Sequence, residues 1–158
     1  MSNGPEVGDR APDFTLPGLR LTDSGVERGA YTLSAELGHP VVLAFYPGDE
    51  TTVCTRQMCS YSSGLEEFSG LEATVWGISP QDLESHEAFA RKHGLRQPLL
   101  ADVEREAVQA YGIGLGSSLR RSVFVVDAAG IVRYRHVALL GLTYRSTDTL
   151  VKALASLG

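Results

Sequence analysis

The apolar positions of this chain fall into short runs separated by Gly- and Pro-containing turns. The run Val41-Val42-Leu43-Ala44-Phe45-Tyr46 reads as a buried strand, and Pro47-Gly48-Asp49 ends it with turn chemistry. Beyond the turn the period changes. Cys54, Met58, Tyr61, Leu65 and Phe68 recur at four- and three-residue steps, the buried stripe of an amphipathic helix. Thr51 or Thr52 is placed to cap that helix. Cys59 shares its face with Ser62, Ser63 and Glu66, so it reads as solvent-facing.

Similar patterning extends to both ends. Residues 1–12 are Pro- and Gly-rich and are expected to be loosely held. Phe14-Thr15-Leu16 predicts a short strand ended by Pro17-Gly18, and residues 19–32 a small hairpin around Asp23-Ser24-Gly25. Leu33 to Leu37 reads as one helical turn stopped by Gly38, and Glu72 to Ile78 as a strand. Ser79 is expected to cap the next helix, with Pro80 its first residue and Asp82 in its first turn. Leu83, His86, Phe89, Ala90 and His93 lie along that helix, and Gly94 closes it. A short strand over 98–101, a helix over 103–111 and a flexible loop over 112–116 follow. Ser122 to Val126 is a strand, turned by Asp127-Ala128-Ala129-Gly130 into a second strand over 131–138. Residues 147–157 form the last helix. The alternation predicts an α/β fold, a central mixed β-sheet flanked by helices with a small N-terminal β extension, in one domain spanning 1–158.

Composition narrows the function classes. Of 158 residues, 43% are hydrophobic and 21% charged, a globular balance, and the net charge is −5. No basic cluster exists beyond Arg120-Arg121, which argues against a nucleic-acid surface. No apolar run approaches the ~18 residues of a membrane span. The first residues lack a basic-then-apolar signal segment, and two cysteines do not make a secreted disulfide scaffold, so the cytoplasm is the expected compartment.

Both cysteines lie in the stretch after the central strand. Cys54 falls in the first turn of its helix, where unpaired N–H groups and the helix dipole favour an anion. Such sites make a thiol reactive, lowering its pKa from about 8.5 to as little as ~3.5–7.5. Cys59 follows with four residues between. On an intact helix the two Cα atoms would be roughly 8.7 Å apart, beyond the ~7 Å that a disulfide spans. Either they never pair, or the first turns of the helix unravel. Ser60, Ser62, Ser63 and Gly64 are weak helix formers and suit the second case.

The residues Pro47, Thr51 and Cys54 match the Pro-x-x-x-Thr-x-x-Cys signature of peroxiredoxins, thiol peroxidases with a thioredoxin-like fold. The second cysteine five positions on resembles the Q-type, or bacterioferritin-comigratory-protein, subfamily. The resemblance covers most of the chain. It includes Val7-Gly8-Asp9-Arg10-Ala11-Pro12-Asp13-Phe14-Thr15-Leu16, Gly77-Ile78-Ser79, Pro98-Leu99-Leu100-Ala101-Asp102 and Arg121-Ser122-Val123-Phe124-Val125-Val126-Asp127. Val123 departs from a common threonine, and Ser62-Ser63 from a common Arg-Asp. The resemblance implies reduction of hydrogen peroxide and alkyl hydroperoxides through a Cys54 sulfenic acid. Cys59 would resolve it as an intramolecular disulfide, recycled by thioredoxin or a similar dithiol, with no cofactor or metal. It places Arg121 in the cysteine pocket, Thr51 beside the thiolate and Pro47 as its shield. A monomer or weak homodimer is expected.

Strand alternation lets only one of Arg120 and Arg121 point inward, and the family match selects Arg121. Asp49 and Glu50 read as turn and surface residues. His86 and His93 are seven apart on one helix face, without a third ligand at metal spacing. Gly112-x-Gly114-x-Gly116 lacks the strand-before, helix-after context of a dinucleotide fingerprint. A thioredoxin-like disulfide oxidoreductase would want Cys-x-x-Cys, and a redox sensor would oxidise once without cycling.

Overall fold

In the chain's computed structural model, residues 4–138 and 144–157 are described. The elements run β1 (Thr15–Thr22), β2 (Gly25–Thr32), a 3-10 turn (Leu33–Glu36), β3 (Val41–Phe45), α1 (Thr52–Ser63), α2 (Leu65–Ser69), β4 (Thr74–Ser79) and α3 (Leu83–His93). They continue with β5 (Leu99–Ala101), α4 (Glu106–Ala110), β6 (Gly114–Leu115), β7 (Ser118–Leu119), β8 (Ser122–Val126), β9 (Val132–Val137) and α5 (Thr147–Ala155). Seven strands form one sheet in the order β2-β1-β5-β4-β3-β8-β9. β3, β4 and β5 are parallel neighbours, while β1–β2, β1–β5, β3–β8 and β8–β9 pair antiparallel. The sheet is mixed, as the alternation of elements predicts.

Strand β3 shows why two cores form. Side chains alternate across a strand, so Val41, Leu43 and Phe45 enter one cluster and Val42, Ala44 and Tyr46 the other. The first cluster gathers Phe14, Trp76, Tyr111 and Phe124 beneath α4. The second is roofed by α1, α3 and α5 through Cys54, Met58, Tyr61, Phe89, Leu150 and Leu154. The predicted stripe of α1 is therefore real, except that Leu65 is only half-buried and the helix breaks at Gly64. Glycine at this position has a packing cause. A Cβ on Gly64 would lie 2.5 Å from Cγ2 of Thr147 at the start of α5.

Other expectations need correction. Pro17-Gly18 does not end the first strand. β1 runs through both residues in an eight-pair register with β2, and Gly18 admits the ring of Tyr31, whose Cδ1 a Cβ there would meet at 2.7 Å. Residues 8–11 are not loose. Gly8 N–H donates to the Val132 carbonyl at 2.8 Å and Ala11 N–H to that of Gly130 at 2.9 Å. The helix after β4 starts at Leu83 rather than Pro80, because the Asp82 carboxylate accepts from Ser85 N–H at 2.9 Å and caps it. Ser79 is instead the last, buried residue of β4. The helix expected over 103–111 is shortened to α4: Arg105 takes φ 61° and Asp102 Oδ2 accepts from Val108 N–H at 2.9 Å. Residues 112–116 are not simply a flexible loop. Gly114-Leu115 pairs with Ser118-Leu119 in a small hairpin, which Arg105 Nη2 holds by donating to the Ser118 carbonyl at 2.8 Å.

Candidate active site

β3 delivers the chain to the C-terminal edge of the sheet, and α1 carries it away. Between them lies the turn Pro47–Thr51. Thr51 occupies the N-cap with extended angles (φ −83°, ψ 151°), and its carbonyl accepts from Thr55 N–H at 2.8 Å. The expected side-chain cap is not made. Thr51 Oγ1 donates instead to the Gly48 carbonyl at 3.1 Å, closing the turn on itself. Pro47 sits at the head of this turn, half-buried.

Cys54 is the third residue of α1 and is fully buried. Its sulfur accepts a hydrogen bond from Arg121 Nη2 at 3.1 Å. Sheet register brings this arginine from 67 positions away. β8 pairs antiparallel with β3, Phe45 opposite Ser122, so the residue before Ser122 stands beside the exit of β3. Arg121 is 4% exposed, whereas Arg120 is half-buried and its backbone is tied to Ile113 and Ser122. Arg121, the arginine that the family match selects, is the one whose Nη2 reaches the sulfur.

Sequence reasoning missed the residue that aims it. Arg121 Nη1 donates to Gln57 Oε1 at 2.5 Å. Gln57 Nε2 donates on to Tyr61 Oη at 3.3 Å, and Tyr61 Oη to the Arg145 carbonyl at 2.6 Å. Gln57 is 1% exposed. Burial pushes the Tyr61 phenol well above its ordinary range, so it acts here as a neutral donor. The guanidinium is thus forked between the thiol and an amide one turn along the same helix, a planar geometry that only arginine offers. The available signal was the spacing: residues three apart on a helix are neighbours, and Gln57 is a polar residue beside the apolar stripe.

Cys59 lies one and a half turns further on, in the same unbroken α1. Both thiols are free. Contrary to the solvent-facing expectation, Cys59 is only partly exposed and packs on the second core cluster. Burial pushes its thiol up, and the Glu50 carboxylate adds to that. Its end of the helix is fastened from outside. Gln97 Nε2 donates to the Met58 carbonyl at 3.0 Å, Arg96 N–H donates to Ser62 Oγ at 3.0 Å, and Ser60 Oγ lies 3.4 Å from Thr147 Oγ1.

Asp49 also departs from expectation: it is not a surface residue. Its side chain is 2% exposed. Oδ1 accepts from Tyr46 Oη at 2.7 Å, and Oδ2 accepts from Ser85 Oγ at 2.7 Å and lies 2.7 Å from His86 Nδ1. Its N–H donates to Gln81 Oε1. Burial and the neighbouring carboxylate hold the Tyr46 phenol protonated. Among the described residues no three of His, Cys, Asp and Glu gather as a metal site, and no helix is long and apolar enough to cross a membrane.

Residues 7–135 match the AhpC/TSA family. The chain belongs to that family. Its AhpC/TSA relatives include the chloroplastic peroxiredoxin Q of Oryza sativa subsp. japonica, 38% identical over 130 residues, 80% of this chain and 57% of that protein. Peroxiredoxin Bcp of Bacillus subtilis is 35% identical over 155 residues, 92% of this chain and 94% of that protein. This chain therefore matches little more than half the length of the plant relatives and nearly all of the Bacillus one. Among solved structures, Mycobacterium bovis AhpC superposes with a TM-score of 0.88 at 26% identity, covering 98% of this chain and 93% of that one. The AhpC/TSA fold is thus the thioredoxin-like, helix-flanked mixed sheet expected from the Pro-Thr-Cys signature.

Proposed function

We propose that this chain is a thiol-dependent peroxidase acting on hydrogen peroxide and alkyl hydroperoxides, with Cys54 as nucleophile. The single observation that carries the reading is the buried Cys54 sulfur, 3.1 Å from Arg121 Nη2 at the start of α1. In the first step the Cys54 thiolate attacks one peroxide oxygen. The S–O bond forms as the O–O bond breaks, sulfur loses two electrons, and the other oxygen takes a proton and leaves as water or alcohol. The Arg121 fork and the N–H groups of the helix start stabilise the charge on that leaving oxygen. Thr51 orders the turn beneath the substrate, and Pro47 screens it from water.

The sulfenic acid is then attacked by Cys59. An S–S bond forms, the S–O bond breaks and water leaves. The two residues share α1, so the step requires its first turns to open. A dithiol of the thioredoxin type then reduces the disulfide by two exchange steps, taking on the disulfide itself. The cytoplasm and a monomeric or weakly dimeric state complete the reading; light scattering checks the latter.

The test is turnover of hydrogen peroxide with thioredoxin and its reductase. Wild type cycles, Cys54→Ser does not consume peroxide, and Cys59→Ser completes one turnover without an intramolecular disulfide. Cycling by Cys54→Ser at a rate within about tenfold of wild type contradicts the assignment, because covalent catalysis has no substitute at this site.

A further inference from the structure

His86 and His93, seven residues apart on α3, each meet one of the two consecutive acidic residues of the turn that feeds α1. Asp49 and Glu50 lie between Pro47 and Thr51, so whatever holds them holds the cysteine pocket.

The inner contact is buried. His86 is fully covered, with Nε2 2.9 Å from the Leu100 carbonyl of β5. A carbonyl only accepts, so Nε2 carries a hydrogen. Nδ1, 2.7 Å from Asp49 Oδ2, therefore meets the carboxyl group through one proton shared between them. With Tyr46 and Ser85 also donating, the Asp49 carboxyl group is held by three side chains. The outer contact is exposed. Glu50 Oε1 lies 2.9 Å from His93 Nε2 and 3.8 Å from Lys92 Nζ. Glu50 also holds φ 61°, the left-handed region that a glutamate rarely adopts, so its backbone gains if the contact is lost.

We propose that α3 is the clamp that decides whether the turn and the first turns of α1 are closed, with Cys54 in the Arg121 pocket, or open, with Cys59 able to reach Cys54. His86 and His93 are positioning residues. The inner His86–Asp49 pair anchors the turn through Tyr46 and β5, and the outer His93–Glu50 pair is the part that releases. This rests on the peroxidase reading for its consequence, but not for its geometry. Once Glu50 leaves His93 the strained turn relaxes, the thread between Thr51 and Cys54 loosens, and the carboxylate is carried off with the turn. Closure favours attack on peroxide; opening favours disulfide formation. The two steps should therefore respond to the clamp in opposite directions.

The experiment compares reduced wild type with His93→Ala, Glu50→Gln, His93→Lys and Asp49→Asn. Amide exchange across residues 52–63 is one readout. The separate rates of peroxide attack and disulfide formation, followed by rapid mixing and quenched mass analysis, are the other. His93→Ala and Glu50→Gln should speed exchange and disulfide formation by about two- to fivefold, the scale of an exposed ion pair, and reduce over-oxidation of Cys54 at high peroxide. Peroxide attack should slow. His93→Lys, which keeps a hydrogen-bond donor beside Glu50, should restore wild-type behaviour. Asp49→Asn, which breaks the buried pair, should exceed both by about tenfold. Unchanged exchange across 52–63 in both His93→Ala and Glu50→Gln overturns the clamp, as does a disulfide step that slows together with peroxide attack. If Cys54 does not react with peroxide at all, the peroxidase reading fails, and amide exchange alone still decides the clamp.

Discussion

Replacing Arg121 by alanine tests the fork on which the site is built. The side chain is 4% exposed and gives one N–H to Cys54 Sγ at 3.1 Å and another to Gln57 Oε1 at 2.5 Å. A hydrogen bond to a charged group contributes about 1.5–3 kcal/mol, and removal of one donor that faces developing charge costs about 10²–10³ in rate. At about 1.4 kcal/mol per tenfold, the two figures overlap near a hundredfold loss. That is the expected fall in the second-order rate of peroxide consumption for Arg121→Ala. Arg120→Ala should stay within about threefold of wild type, the range of a substitution that touches no such group. Arg121→Lys should recover only part of the loss, because an ammonium cannot span sulfur and amide together as a planar fork does. Alanine also orphans Gln57 Oε1 in a buried site, at about 1–3 kcal/mol, so unfolding midpoints must be measured beside the rates. The assay is single-turnover peroxide loss with reduced protein, below the temperature at which any variant unfolds. Equal losses at 120 and 121, on folded protein, would refute the reasoning.

Other outcomes follow from the same geometry. Gln57→Leu should slow peroxide attack by about tenfold, since it leaves the guanidinium unaimed, and combining it with Arg121→Ala should add little further loss; a double-mutant cycle on single-turnover rates checks this. Gly64→Ala should destabilise the protein by about 1–3 kcal/mol in a urea titration, because the new methyl is forced onto Thr147. In Cys54→Ser protein, alkylation of Cys59 should titrate above the ordinary cysteine range, and Glu50→Gln should move it down, since one of the two causes of the elevation is removed. The sign for stability follows: an elevated thiol favours the folded state below the unfolded chain's pKa, and that contribution disappears as pH rises through the folded value, visible as a fall in unfolding midpoint on the alkaline side.

What could be read in the chain, and what could not, divides along sequence distance. Val41–Phe45, Ser122–Val126 and the stripe Cys54, Met58, Tyr61, Phe68 announce themselves, because burial of apolar side chains imposes a period that is local. The motif residues were legible for the same reason: Pro47, Thr51 and Cys54 belong to one turn and one helix start. Arg121 needed the resemblance as well as strand alternation to be chosen over Arg120. Buried polar residues were not legible. Whether Gln57 is a surface glutamine or the partner of Arg121 depends on a contact 64 positions away, and Asp49 meets His86 across 37. Turn chemistry also misled where tertiary pairing overrides it. Pro17-Gly18 is a strong turn signal that the β2 pairing absorbs, and Gly64, which reads as a weak helix former, is required by the approach of Thr147. Ser79 reads as the cap of α3, yet the side chain that reaches Ser85 N–H is that of Asp82, three residues later.

The central claim is that Cys54 is oxidised first and Cys59 closes on it. Intact-mass analysis of the reduced protein after one equivalent of hydrogen peroxide, followed by peptide mapping, tests this most directly. The account predicts a loss of about 2 Da with Cys54 and Cys59 joined in one peptide pair, and in Cys59→Ser protein a gain of about 16 Da on Cys54 that grows by further oxygen atoms with excess peroxide. Cys59 oxidised while Cys54 stays reduced, or a protein whose mass does not change, would contradict it.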